Sequence, residues 1–229
     1  MKKPTYFSAI QTLAAGFAFI ILLGAFLLIL PISNRDGEYI SYINGLFTSA
    51  SATCVTGLVV YDTWAKFSVF GQIVILFLIQ IGALGFMTIA IFISMVLGKR
   101  IGLKERSFMM EAISSMQLGG IVRLVKRILT VTLIVEGVGA VILSFRFCPL
   151  FGTVKGIWYG IFHSVSAFCN AGFDLMGYIE PYSSMVPFAG DAAVNFTIMG
   201  LIVMGGIGFI VWDDIIRNKW HFKKYNLHT

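Results

Sequence analysis

Long apolar segments alternate along this chain with shorter polar ones. Four of them are long enough to form helices that cross a bilayer, which takes about 20 residues with a range of about 17–25. These segments are Phe7–Leu30, Phe67–Leu97, Ile128–Phe145 and Ala192–Trp212. A signal peptide would instead have an apolar part of about 7–15 residues and a small-residue cleavage site. The 24 residues of the first segment therefore predict a retained membrane helix.

The second apolar segment is longer than one membrane crossing requires. It holds 31 residues without a charge. As a helix it would be about 46 Å long, whereas the hydrocarbon core of a bilayer is about 30 Å thick. We expect such a helix to tilt, to bend or to project beyond the membrane. The glycine-containing run Ile81–Phe86 marks the expected position of a bend.

Two stretches between the apolar segments resemble each other. Phe47–Asp62 reads FTSASATCVTGLVVYD, and Phe162–Gly177 reads FHSVSAFCNAGFDLMG, at an offset of 115 residues. Six residues are identical: Phe47, Ser49, Ser51, Ala52, Cys54 and Gly57 match Phe162, Ser164, Ser166, Ala167, Cys169 and Gly172. A second match, at an offset of 123, pairs Ile81–Phe86 with Met204–Phe209. The sequence therefore predicts a duplicated unit that consists of a span, a short helix, an extended segment and a second span.

The short helices are predicted to end inside the bilayer. Backbone groups left without partners at that depth are tolerated only where protein buries them or where they line a water-filled cavity. Carbonyl oxygens held in such a place can replace the hydration shell of an ion. We therefore interpret the two matching stretches as re-entrant pore loops. The alternative is a pair of amphipathic loops that lie on the membrane surface.

Composition supports an integral membrane protein. Of the 229 residues, 58% are hydrophobic and 12% are charged, whereas soluble domains have about 25% charged residues. The net charge of +6 does not indicate nucleic-acid binding, because the basic residues lie next to apolar spans rather than on a face with stacking aromatic residues. No motif typical of a nucleotide-binding, hydrolase or metalloprotease site is present, so we expect no enzyme.

The basic residues are unevenly distributed between the predicted connections. Thirteen of the 17 lie at the N-terminus, in Gly98–Arg127 or after Trp212, and four lie in the other connections. Because basic residues accumulate on the cytoplasmic side, both termini are predicted to be cytoplasmic, in a multi-pass protein of the plasma membrane. Six carboxylates fall on the predicted outer side, where they either concentrate cations at a mouth or simply solvate the loops. They are Asp36, Glu38, Asp62, Asp174, Glu180 and Asp191.

Single residues inside the predicted spans and loops are candidates for special roles. Glu136 is an intramembrane acid, which is a functional hypothesis by default, although a structural partner on a neighbouring helix is the favoured explanation. Cys54 and Cys169 are expected to be buried thiols in a wall of small residues rather than metal or disulfide ligands. His163 is expected to pack or to form a hydrogen bond, and Asn170 to bond the adjacent backbone.

Both repeated stretches closely resemble the first and second pore motifs of the Ktr/Trk/HKT superfamily of potassium transporters. The resemblance rests on SATCVTGLVVYDT and FHSVSAFCNAGFDL and covers essentially the whole chain. It implies an ion selectivity filter whose backbone carbonyls bind K⁺, with Gly57 and Gly172 as filter glycines. The implied filter residues are Thr53, Cys54, Val55, Thr56, Gly57, Phe168, Cys169, Asn170, Ala171 and Gly172. In that family, glycine at the position of Gly57 goes with a preference for potassium, and serine at that position goes with a preference for sodium.

The resemblance also implies a function and partners. It implies potassium uptake by a pore-forming subunit, a dimer in the membrane, and a cytosolic nucleotide-binding regulatory subunit. Potassium is the transported ion and sodium a candidate coupling ion, with no cofactor in this chain. Lipid surrounds the protein, and no nucleic acid is expected. A non-conducting membrane scaffold or assembly subunit with the same fold is the alternative.

The predicted fold is an all-α membrane protein with two span–pore loop–span repeats, re-entrant pore helices and extended filter strands. The first repeat is assigned to residues 1–98, a cytoplasmic basic linker to 99–127, the second repeat to 128–212 and a cytoplasmic tail to 213–229. The resembled family has four repeats around one pore. We therefore expect the remaining two repeats, or a second copy, to complete the pore, and this chain to be a fragment or a subunit that pairs.

Overall fold

The computed structural model describes residues 9–85, 88–89 and 121–218. In those ranges the chain forms eight α-helices joined by irregular segments and three short 3₁₀ turns, and it contains no β-strand. The helices are α1 (Ala9–Ile29), α2 (Tyr42–Thr53), α3 (Thr63–Lys66), α4 (Val69–Leu84), α5 (Ile121–Phe151), α6 (Thr153–Phe168), α7 (Ala192–Gly206) and α8 (Phe209–Asn218). The 3₁₀ turns are Pro31–Ser33, Met176–Tyr178 and Val186–Phe188. The structure is therefore mostly helical, as the sequence predicts.

Two of these helices, α1 and α5, are long and apolar enough to cross a membrane. The apolar helices α4 and α7 are shorter, with 16 and 15 residues, or about 24 Å along the axis. Large apolar side chains on the helices face outward, among them Phe26, Leu133 and Phe196, which are 60%, 69% and 72% exposed. Exposed apolar surface on this scale is typical of contact with lipid or with further protein.

Helices α1, α2 and α4 form one unit, and α5, α6 and α7 form a second unit with the same internal contacts. The Ser49 hydroxyl donates to the Ile21 carbonyl at 2.7 Å, and the Ser164 hydroxyl donates to the Glu136 carbonyl at 2.6 Å. Each pair joins the short helix of its unit to the preceding long helix. The two serines are 115 residues apart, and so are the two residues whose carbonyls accept these bonds. The repeat in the sequence is therefore also a repeat of contacts in the structure.

The two units share one apolar core rather than separate ones. Ile75 and Ile79 of α4 are fully buried together with Phe162 of α6 and Phe173 of the following loop. The indole N–H of Trp158 also donates to the Gln72 side-chain oxygen at 2.8 Å, which joins α6 to α4. The second span of the first unit therefore packs directly against the short helix of the second.

Helix ends differ from the predicted spans in two places. The stretch Arg146–Gly156, expected to be an outer connection, is helical except at Gly152, where φ is +81° and the chain turns from α5 into α6. The fourth apolar segment is not one helix, because α7 ends at Gly206 and α8 begins at Phe209, with Gly208 at φ +92°.

The break in the fourth segment has a counterpart in the second. Helix α4 ends at Leu84 and Gly85 has φ +76°, inside the run where the sequence predicts a bend. Residues 99–120 of the predicted cytoplasmic linker and the tail beyond Asn218 lie outside the described residues. The mixed polarity of Glu105–Met116, within that linker, is compatible with a surface helix.

Candidate functional site

The two loops that follow α2 and α6 have the same unusual backbone. Val55 and Asn170 have φ of +57° and +58°, and Gly57 and Gly172 both have φ of +75°. A side chain resists this left-handed region, most of all when it is β-branched like that of valine. Equivalent residues thus adopt equivalent strained conformations although one is valine and the other asparagine. The repetition indicates that this backbone shape is required rather than incidental.

Hydrogen bonds from one serine hold each loop against the helix that precedes it. The carbonyl of Ser51 accepts from the Thr56 N–H, and the Ser51 hydroxyl donates to the Leu58 carbonyl. Ser166 makes the same two contacts in the second unit. The four distances are 2.9 Å for Thr56–Ser51, 2.7 Å for Ser51–Leu58, 2.8 Å for Ala171–Ser166 and 2.6 Å for Ser166–Phe173. The loops are therefore fixed by two bonds each, on either side of the glycine.

The carbonyl oxygens inside the loops are left available. Within the part of the chain that the structure describes, no hydrogen bond ends on a carbonyl oxygen of residues 54–57 or 169–172. Cys54, Thr56, Asn170 and Gly172 are exposed, so carbonyls of both loops are open to a ligand that is not among the described groups. These segments are irregular and not hydrogen-bonded strands, so the prediction of extended filter strands is wrong in that respect.

Glycine allows the two loops to approach each other. A Cβ placed on Gly57 would lie 2.6 Å from the carbonyl oxygen of Ala171, and one on Gly172 would lie 3.7 Å from the Gly57 Cα. The residues that the sequence pairs at an offset of 115 therefore also meet in space. Their backbones, not their side chains, form the contact.

A second pair of glycines lets α4 and α7 pack against the start of each loop. A Cβ on Gly82 would overlap the carbonyl oxygen of Thr53, and one on Gly205 would overlap that of Phe168. Thr53 and Phe168 are the last residues of α2 and α6. Gly82 and Gly205, which belong to the sequence match at an offset of 123, therefore pack behind the two loops, which belong to the match at an offset of 115.

Side chains around the loops are less alike than the backbones. Cys169 is buried but Cys54 is exposed, so the expectation of two buried thiols is wrong for Cys54. The Asn170 amide makes long contacts of 3.4 Å with the carbonyls of Phe168 and Ile202. No group of three potential metal-ligating side chains occurs in residues 9–85 or 121–218. The atoms that these loops leave without a described partner are main-chain oxygens.

His163 holds the second loop from inside α6. Its Nδ1 lies 2.7 Å from the Tyr159 carbonyl, and its Nε2 accepts from the Leu175 N–H at 3.2 Å. With Nδ1 protonated, one nitrogen donates and the other accepts. The ring thus acts as a brace between the helix and the end of the loop.

The outer carboxylates mostly contact protein. Asp62 accepts from the N–H groups of Ala65 and Tyr182 at 2.8 and 2.9 Å, which joins the two units. Asp191 caps α7 and binds Arg146. The guanidinium of Arg146 holds the pKa of Asp191 below its usual range, and the ammonium of Lys66 does the same for the pKa of Asp36.

Sequence reasoning missed the polar side of α4. Gln72 and Gln80 were counted within an uncharged apolar segment, yet both face the second unit. They are eight residues apart, which places them on one face of a helix. The Gln80 amide donates to the Glu136 carboxyl at 3.1 Å, so the intramembrane acid has a neighbour on the other unit. The spacing of the two amides was the available signal.

Comparison with known proteins places the chain in a family. The family model described as TrkH, cation transport protein, matches residues 4–228. The chain is 47% identical to the Ktr system potassium uptake protein B of Bacillus subtilis (strain 168), over 99% of this chain and 49% of that protein. It is 42% identical to the potassium/sodium uptake protein NtpJ of Enterococcus hirae, over 97% of this chain and 48% of that protein.

A third relative is the Ktr system potassium uptake protein B of Vibrio alginolyticus, 40% identical over 93% of this chain and 46% of that protein. The chain thus spans about half the length of the curated relatives that it matches. The family match covers nearly every residue, and both repeated units lie within it. The chain therefore belongs to the TrkH family of cation transport proteins, and within it resembles the Ktr potassium-uptake proteins.

Proposed function

We propose that this chain forms part of the wall of a pore through which potassium is taken up across the plasma membrane. The observation that carries the proposal is the pair of adjacent loops with the same left-handed backbone and with carbonyl oxygens that no described group binds. Fixed carbonyls at membrane depth are the groups that replace the hydration shell of a potassium ion. In this proposal residues 53–57 and 168–172 are the selectivity filter.

Potassium is the favoured ion for two reasons. The relatives named above are potassium or potassium/sodium uptake proteins, and the first loop carries glycine at position 57, where the resembled family has serine in its sodium-preferring members. Sodium remains a candidate coupling ion. No cofactor is part of the proposal, because main-chain oxygens supply the ligands.

Two loops contact an ion path from one side only, so completion by further repeats is part of the proposal. These repeats come from the rest of a longer polypeptide or from a second copy. The first unit has a suitable free face, since Cys54 and Leu58 are exposed, the latter at 61%. An apolar residue exposed at the end of a filter loop is best explained by another protein segment that covers it.

The remaining features of the proposal concern the membrane and a cytosolic partner. The chain crosses the plasma membrane four times with both termini in the cytoplasm, in agreement with the distribution of its basic residues. A nucleotide-binding regulatory subunit docks on the cytoplasmic face, as the resemblance to the superfamily implies, and the relatives' names as Ktr system proteins support a system with more than one component. A non-conducting scaffold of the same fold is the alternative, and the unpaired carbonyls argue against it.

The test replaces the loop glycines by serine. In cells without their own potassium uptake, Gly57→Ser in the native polypeptide is expected to lower the ratio of potassium to sodium uptake about ten-fold, or by about 1.4 kcal/mol. The reason is that the new Cβ would strain a backbone at φ +75° and displace the Ala171 carbonyl, 2.6 Å away. Gly172→Ser is expected to act more weakly, because its Cβ would meet the nearest atom at 3.7 Å.

The matched control is Gly37→Ser. Gly37 also has a positive φ, of +70°, but no atom lies within 4 Å of its Cβ position, in the connection between α1 and α2. Its uptake ratio is expected to stay unchanged, with uptake normalised to the amount of protein in the membrane. An unchanged ratio in both loop variants would refute the filter assignment. Potassium and sodium uptake that fall in the same proportion, at unchanged protein abundance, would favour a scaffold.

A further inference from the structure

A polar cluster lies behind the second loop, where the two units meet. The Gln80 amide of α4 donates to the Glu136 carboxyl of α5 at 3.1 Å. The Cys169 thiol, in the second loop, lies 3.7 Å from the Gln80 side-chain oxygen and 3.9 Å from a Glu136 carboxyl oxygen. Three side chains from three segments therefore converge at one point, directly before the strained residue Asn170.

Glu136 and Cys169 are buried, each 6% exposed, and Gln80 is half-buried. Among the described residues, no basic side chain forms a salt bridge with Glu136. An acid placed in a membrane span without a cation is costly, and its retention points to a specific task. Its hydrogen-bond partners are the second unit's own loop and the first unit's helix.

The first unit lacks this cluster although it has the same backbone contacts. At the offset of 115, Ile21 corresponds to Glu136 and Cys54 corresponds to Cys169. At the offset of 123, Val203 of the second unit corresponds to Gln80 of the first. The serine bond to the long helix is present in both units, at 2.7 Å to Ile21 and 2.6 Å to Glu136. Folding of a unit therefore does not require the polar side chains, which serve the contact between units.

We propose that Glu136 and Gln80 are positioning residues that fix the second loop relative to the first and so contribute to the choice of potassium over sodium. This inference rests on the proposed function. The hydrogen bond between α4 and α5 holds the helices at one distance, and the thiol contact transmits that distance to residues 169–172. A small shift of these carbonyls changes the size of the site that replaces the ion's hydration shell.

The test is a double-mutant cycle in the native polypeptide. Glu136→Leu and Gln80→Leu are each expected to lower the ratio of potassium to sodium uptake about three- to ten-fold, the range that the loss of one hydrogen bond supports. The double variant is expected to lower this ratio no further than the single variants do, because the two substitutions remove the same interaction. Glu136→Gln, which still bonds Gln80, is expected to keep the ratio.

Leucine at 136 fits the surroundings, so loss of folding is not the expected result. The site borders a cavity of about 360 Å³ with walls formed by Leu76, Phe77 and Leu133 among others. The control for removal of a polar side chain from α5 is Thr130→Val, because Thr130 is exposed and its hydroxyl donates to the Lys126 carbonyl of the same helix. Its ratio and its apparent KM for potassium are expected to match the wild type.

The outcomes separate this inference from the proposed function. Reduced protein abundance with an unchanged ratio would mean that the cluster only stabilises the fold and would overturn the inference. Additive effects of the two leucine variants would also overturn it. If Gly57→Ser alters the ratio while Glu136→Leu does not, only the role of the cluster fails. If no variant alters the ratio, the filter assignment fails first.

Discussion

Val55 and Asn170 show that the loop shape is imposed by its surroundings and not by local preference. Asparagine tolerates the left-handed region, but a β-branched residue is a genuine outlier there. Such a conformation costs on the order of 1–3 kcal/mol, which the bonds from Ser51 and the packing of Gly82 must offset. The strain lies in the segments whose carbonyls have no described partner, as expected for a site that is organised before an ion arrives.

Asp174 provides a test of how the burial of a single carboxyl group affects stability. It follows the second loop, lines a cavity of about 200 Å³ with Asn170 and Gly172, and accepts from the Met176 N–H at 2.9 Å. Burial raises the pKa of Asp174 above its ordinary value of 3.8. The folded protein therefore binds a proton more readily than the unfolded chain, and wild-type stability falls as pH rises from about 3.8 through the raised pKa.

Asp174→Asn removes this dependence and keeps an acceptor for the Met176 N–H. The variant is expected to gain thermal stability over the wild type as pH increases above the ordinary pKa of 3.8, and to show no gain below it. Melting temperatures of the purified protein in detergent, measured across a pH series, check the prediction. A difference that is the same at every pH would contradict it.

At the scale of the helix, close packing depends on where a glycine sits. Gly205→Ala is expected to destabilise the protein by about 1–3 kcal/mol, because its Cβ would overlap the Phe168 carbonyl and force α7 away from the loop. The matched control is Gly200→Ala on the same helix, where no atom lies within 4 Å. That change is expected to be neutral or to stabilise by up to about 1 kcal/mol. Equal melting temperatures for the two variants would show that the close approach has no energetic role.

The sequence pattern was most informative where it repeated. The two offsets identified Gly57 with Gly172 and Gly82 with Gly205 as equivalent pairs. In the structure the first pair has the same φ and the second pair has equivalent contacts. Hydropathy could not supply helix ends, because it reports the environment of side chains and not the hydrogen bonding of the backbone. Helix α5 therefore extends through Arg146, which pairs with Asp191 instead of lying in a loop.

Contacts between the units were also beyond the sequence. Gln80 carries no charge, so nothing marked it as the partner of Glu136 until both helices were placed. Exposure of Cys54 was mispredicted for a related reason. Its sequence context matches that of Cys169, but the Cys169 thiol contacts Gln80 of the neighbouring unit as well as Glu136 of its own, whereas Cys54 is exposed.

At the scale of the whole molecule, three of the four basic residues predicted to be outside lie together on one face. Arg35 lies 4.1 Å from the ring centre of Trp64, whose ring is 5.1 Å from that of Tyr178, and Lys155 lies 5.1 Å from Tyr178. Lys66 pairs with Asp36 beside them. Both units therefore contribute to a single surface of aromatic and basic side chains, an arrangement typical of a membrane–water interface.

Helix α5 separates that face from the other group of basic residues. Arg146 lies near its C-terminal end, and Arg123, Lys126 and Arg127 lie near its start. The distance along the helix from Arg123 to Arg146, 23 residue steps, is about 34 Å, slightly more than the hydrocarbon thickness of about 30 Å. We therefore predict that a reporter near Arg35 is outside the cell, whereas reporters after Thr229 and within Ser107–Gln117 are in the cytoplasm. Protease or thiol-reagent access in intact cells, compared with opened cells, checks each position, and cytoplasmic labelling near Arg35 would refute the four-span topology.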